Sequence, residues 1–82
     1  MARKFRTLSQ VYDTACKVES NCNCILFKNS GSIGVSVSGL VLKPGDSLSI
    51  DGELDEFNET QYDVIFVGVG SCRLDVIRKI YV

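Results

Sequence analysis

The side chains in this sequence with the chemistry to act on a ligand are four cysteines and a run of carboxylates, and there is no histidine among the 82 residues. The missing imidazole removes the commonest general base and the commonest metal ligand together. It also excludes any Ser-His-Asp or Cys-His nucleophile. The serines at 30, 32, 36, 38, 47 and 49 stand without a base beside them and suit turns and solvent faces. Cys16, Cys22, Cys24 and Cys72 are separated by five, one and forty-seven residues. A tetrahedral zinc site would need all four, and those spacings match no ribbon or finger. On a strand Cys22 and Cys24 would point to one face.

The basic start Met1-Ala2-Arg3-Lys4-Phe5-Arg6 is followed by no apolar stretch, so no secretory signal and reduced thiols are expected. A disulfide framework and a metal site are the two remaining readings. As reduced thiols, Cys24 and Cys72 are expected to fill core space and Cys22 to sit at a strand entry. Asp46, Asp51, Glu53, Asp55, Glu56 and Glu59 form the acidic stretch. Carboxylates at 51, 53 and 55 have the spacing that opens a calcium loop. The required glycine and closing glutamate are replaced by Glu56 and Tyr62, so a solvated loop or a surface for a basic partner is expected. No glycine signature for nucleotides is present, and no catalytic residue, cofactor or metal is assigned. The chain is not expected to be an enzyme.

The elements carrying these residues read mostly as strands. Cys24–Lys28 is a short run of strand formers, and 29–32 (Asn-Ser-Gly-Ser) reads as a turn. Residues 33–38 alternate apolar and small polar, with Leu40 and Leu42 continuing the phase beyond Gly39, read as a bulge or a close backbone approach. Lys43-Pro44-Gly45-Asp46 has the chemistry of a type II turn. In Ser47–Ile50, Leu48 and Ile50 should face inward. Residues 51–60 read as a loop, and 61–69 as a central strand covered on both faces. In the last strand Cys72, Leu74, Val76, Ile80 and Val82 share one face, and Arg73, Asp75 and Lys79 the other. Its edge and carboxylate are expected to lie against a neighbour. The whole is an all-β sandwich or barrel of five to six short strands.

Residues 1–20 read differently and are set apart from the body, 21–82, as a docking segment. Leu8, Val11, Tyr12 and Ala15 fit one helical face, with Thr7 or Ser9 as a cap, yet an extended arm fits the same residues. Residues 1–28 carry five basic and two acidic side chains, +3, and residues 29–82 carry four and eight, −4. A basic arm on the acidic body of a neighbouring copy follows from that split. Arg3, Lys4 and Arg6 offer too few phosphate contacts for nucleic acid, and no apolar run is long enough to span a membrane.

From Ile25 to Val69 the order of strand, Asn-x-Gly turn, Val-x-Val-x-Gly-Leu, Lys-Pro-Gly-Asp-Ser and acidic loop resembles small β-sandwich structural proteins of tailed bacteriophages. Gly39, Leu42, Pro44, Gly45 and Ser47 carry the resemblance. It implies a capsid decoration or auxiliary protein, or a ring protein of the head–tail junction or tail, in a virion assembled in the host cytoplasm. Its partners would be other virion or assembly proteins and further copies of itself. The expected interface residues are Arg3, Phe5, Leu8, Val11 and Tyr12, because buried aliphatic and aromatic anchors dominate interface energy. The alternatives are a monomeric module for a glycan or peptide, disfavoured by the absence of Trp, and a cysteine-based metal protein.

Overall fold

The computed structural model describes residues 4–52 and 56–81. These form β1 (Phe5–Tyr12), β2 (Cys16–Glu19), β3 (Cys24–Asn29), β4 (Gly34–Val37), β5 (Leu40–Leu42), β6 (Ser47–Ile50), β7 (Gln61–Val67) and β8 (Leu74–Tyr81). One antiparallel sheet, A, has the order β1-β8-β3-β6, and the other, B, the order β2-β7-β4-β5. The two pack face to face as a small all-β sandwich, with Ile25, Phe27, Leu74 and Val76 of sheet A against Val18, Val35, Val37 and Val64 of sheet B. The Phe27 and Tyr62 rings meet edge to face across the layers with centroids 5.1 Å apart, a geometry the ring quadrupoles favour.

Turn chemistry sets the connections. The pairing Val37↔Leu40 leaves Ser38-Gly39 as a two-residue hairpin turn, with φ of 48° and 93°. Two positive φ values match the twist of the flanking strands. Gly39 is therefore a hairpin corner, not a bulge, and nothing lies within 4 Å of where its Cβ would be. Ser38 holds its unusual conformation because its N–H donates to Asp63 O (2.7 Å) and its hydroxyl accepts from Asp63 N (3.1 Å). Asp46 N donates to Lys43 O (2.9 Å), closing the type II turn at Pro44-Gly45. The turn docks on the end of β3 through Gly45 N to Asn29 O and Asn29 N to Asp46 O, both 2.9 Å.

Of the helix and the extended arm that both fit residues 1–20, the described residues take the extended form: β1 pairs with β8 over its whole length, from Phe5↔Tyr81 to Tyr12↔Leu74. Other expectations are corrected. β2 pairs with β7, and Val18 at its centre is fully buried. The strands number eight among the described residues, because β1, β2 and the three-residue β5 are separate elements. β8 lies between β1 and β3, so both its edges are paired within the chain; Val82 lies outside the described residues. β7 is central but covered on one face only. Tyr62 and Val64 are buried, while Ile65 and Val67 are 55% and 54% exposed, because no layer lies outside sheet B.

Candidate functional site

Four of the five residues expected at an interface lie on β1, the edge strand of sheet A; Arg3 lies outside the described residues. The alternation of β1 follows its pairing with β8. Leu8, Gln10 and Tyr12 stand opposite Arg78, Val76 and Leu74 and share the inward face. Phe5, Thr7, Ser9 and Val11 stand opposite Tyr81, Lys79, Ile77 and Asp75 on the outward face. Phe5, Leu8 and Val11 are 55%, 48% and 57% exposed, and only Tyr12 is half-buried. Lys79 Nζ sits 4.6 Å from the Phe5 ring centroid and 4.9 Å from that of Tyr81, a cation over two aromatic faces. Among the described residues the second edge of β1 has no strand beside it, so the alternate backbone N–H and C=O groups of this eight-residue strand that point away from β8 are offered to another chain.

Inside this edge lies a residue that the sequence reading passed over. Counting only apolar positions in the last strand skips 78, yet the inward phase 74, 76, 78, 80 includes it. Arg78 is 8% exposed. Its Nε donates to Glu19 O (3.0 Å) and Ser20 O (3.2 Å), and its Nη2 donates to Glu19 O (2.8 Å). These bonds fasten the end of β2 in sheet B to β8 in sheet A. The Nη1 atom donates to Gln10 Oε1 (2.6 Å), and Nη2 also reaches Tyr12 Oη at 3.3 Å. The Tyr12 hydroxyl donates in turn to Gln10 Oε1 at 2.7 Å. This cluster floors an open cleft of about 600 Å³ between β1 and β2, with Leu8, Lys17, Glu19 and Gln61 in its walls. The period-two pattern was the available signal: position 78 can only be inward if 74 and 76 are.

The cysteines are distributed otherwise than expected. Cys22 is the fully buried one, whereas Cys16, Cys24 and Cys72 are half-buried, and all four are free thiols. Val18, Ser20 and Cys22 share one inward phase, in which a two-way backbone bridge to Asn58 pins Cys22, and the phase shifts by one residue at Asn23, so that Ile25 and Phe27 are the buried positions of β3. Cys24 instead pairs with Lys79 on the outer face, so the two thiols do not share a face. Burial pushes the Cys22 thiol pKa up against an opposing pull from Arg78, and Cys24 adds to the rise. Burial also raises that of Cys16. Thiolates, the nucleophilic and ligating form, are thereby disfavoured at both. No group of three or more cysteines and carboxylates is placed to hold a metal among the described residues. Of the acidic stretch, Asp46, Asp51, Glu56 and Glu59 are exposed, and Glu53 and Asp55 lie outside the described residues.

Two further features complete the surface. On the outer face of sheet B, Val41, Ile65 and Val67 are each more than half exposed around the small residues Gly34 and Ser36. Asp75 accepts a hydrogen bond from the Ser30 hydroxyl, which, with a lesser contribution from Arg73 (3.1 Å), holds its carboxyl below the usual range. That pair ties the turn after β3 to the start of β8. Set beside known proteins, the chain matches no family model and no curated sequence.

Proposed function

We propose that this protein is a multi-copy assembly component that associates with itself through the free edge of β1. The observation carrying this reading is a long edge strand exposed on both faces with three large apolar side chains along it. Such an edge is a template for strand pairing unless charge, proline or a bulge blocks it. β1 carries no proline, and its one charged side chain between Phe5 and Tyr12 is Arg6, near one end of the strand.

The edge is self-complementary in one antiparallel register. With Leu8 opposite Leu8 of a second copy, Phe5 meets that copy's Val11, Arg6 its Gln10, and Lys4 its Tyr12. Every exposed apolar residue of β1 then faces an apolar one, and no like charges stand opposite each other. Moving the register by two residues, the smallest slip that keeps faces matched, sets Leu8 against Gln10 or Arg6. Pairing in this way joins two four-stranded sheets into one continuous sheet. The resemblance of the Gly39–Ser47 turn to phage structural proteins supports placing these copies in a virion, as a capsid decoration or tail component.

Light scattering behind a sizing column tests the reading. The wild-type chain is expected to run as a defined oligomer. Leu8→Lys places two ammonium groups across the symmetry axis and is expected to weaken association at least about tenfold. Because Leu8 also stands opposite Arg78 on β8, circular dichroism checks that the variant folds, and the neutral Leu8→Gln is expected to weaken association in the same direction. A wild-type monomer at high concentration, or a Leu8→Lys variant with unchanged mass, would overturn it.

A further inference from the structure

We propose that the cleft between β1 and β2 binds a ligand carboxylate, with Arg78 as its contact. A guanidinium that is 8% exposed ordinarily has an anion against it, because removing a charge from water is costly unless it is paired. Arg78 lies within ion-pair distance of no carboxylate among the described residues, where the one ion pair is Arg73–Asp75. Its acceptors are all neutral: two backbone carbonyls, an amide and a phenol.

These acceptors divide by mobility. The Nε and Nη2 donors toward Glu19 and Ser20 are bound to backbone of the sandwich and are spoken for. The edge toward the cleft is held by Gln10 and Tyr12, side chains of an exposed strand. Gln10 Oε1 receives hydrogen bonds from both Arg78 Nη1 (2.6 Å) and the Tyr12 hydroxyl (2.7 Å). That is the coordination of a carboxylate oxygen, filled here by an amide. A ligand carboxylate taking the place of the Gln10 amide would keep both donors and add the missing charge, and charge-assisted bonds are roughly twice as strong.

The cleft also limits what the carboxylate is attached to. Arg78 and Lys17 supply two positive charges against the one negative charge of Glu19, which suits a monoanion better than a phosphate dianion. The volume, about 600 Å³, is within the range of small-molecule sites. Leu8 and the Tyr12 ring give it an apolar wall. The ligand class is therefore a monocarboxylate with an adjoining apolar group, supplied by a small acyl acid or by the C-terminus of a peptide.

N-acetylleucine, N-acetylleucinamide and a longer peptide ending in the same leucine distinguish these sources. They would be titrated into the full chain at fixed ionic strength while the Nε–Hε resonance of Arg78 is followed. Saturable shifts with the acid and none with the amide are expected. At least tenfold tighter binding of the peptide would assign the site to a chain terminus, and equal binding to a small acid. Gln10→Glu, which supplies an internal carboxylate at an exposed position, is expected to abolish the response to both acids. No saturable shift with either acid, an equal response to the amide, or an undiminished response in Gln10→Glu would overturn the proposal.

Discussion

Two buried polar side chains, Asn29 and Arg78, hold the two sheets of this sandwich in place. Asn29 is 1% exposed at the end of β3. Its Nδ2 donates to Ile33 O (2.7 Å) and Leu42 O (2.9 Å), and its Oδ1 accepts from Gly31 N (3.0 Å). One side chain thus joins β3 of sheet A to the residue before β4 and to the end of β5 in sheet B. Asn29→Leu is close in volume but removes every one of those bonds. It is expected to destabilise the fold by about 3 kcal/mol, since each buried group left unpaired costs about 1–3 kcal/mol. Urea unfolding measures this, and an unchanged midpoint would show that water replaces the amide. Neither role was legible beforehand. Asn29 reads as a turn former, since Asn followed by Ser-Gly is turn chemistry. Arg78 is hidden because a search for apolar alternation skips a charge in the inward phase.

Among the elements, β4 and β6 were readable because turn residues bound them and their alternation is clean, and β3 because it is a run of strand formers ending in an Asn-Ser-Gly turn. The Ser38-Gly39 corner was half readable: a hairpin needs positive φ at both positions, and serine there does not announce it. β1 was ambiguous for a physical reason. Leu8, Val11 and Tyr12 fit a helical face, yet none of the three is deeply buried, so local pattern carried little information and pairing with β8 decided the outcome. β7 misled in the opposite way, since the continuous apolar run 64–67 signals burial on both faces and here one face is open. The segment 30–32 packs against 71–73 so closely that a Cβ on Gly31 would stand 2.3 Å from Ser71 O. Ser30 N and Gly31 N both donate to Arg73 O (3.0 and 3.2 Å), and Ser32 N to Ser71 O (2.9 Å). Gly31→Ala must push these two connecting segments apart and is expected to cost about 2 kcal/mol, on the scale of overpacking a filled site. Thermal unfolding checks it, and an unchanged Tm would mean that the loop shifts freely.

The whole molecule is elongated, 48 × 19 × 16 Å, and among the described residues two apolar surfaces stand uncovered, the β1 edge and the outer face of sheet B. The edge differs from the face in offering backbone hydrogen bonds as well as side chains, which favours association there. Hydrogen exchange over β1, followed at low and high protein concentration, distinguishes the two directly. Edge pairing predicts that the β1 amides pointing away from β8 exchange freely when dilute and become protected as concentration rises. Protection of β1 that does not change with concentration, in a chain that still oligomerises, would contradict it and move the interface to Val41, Ile65 and Val67.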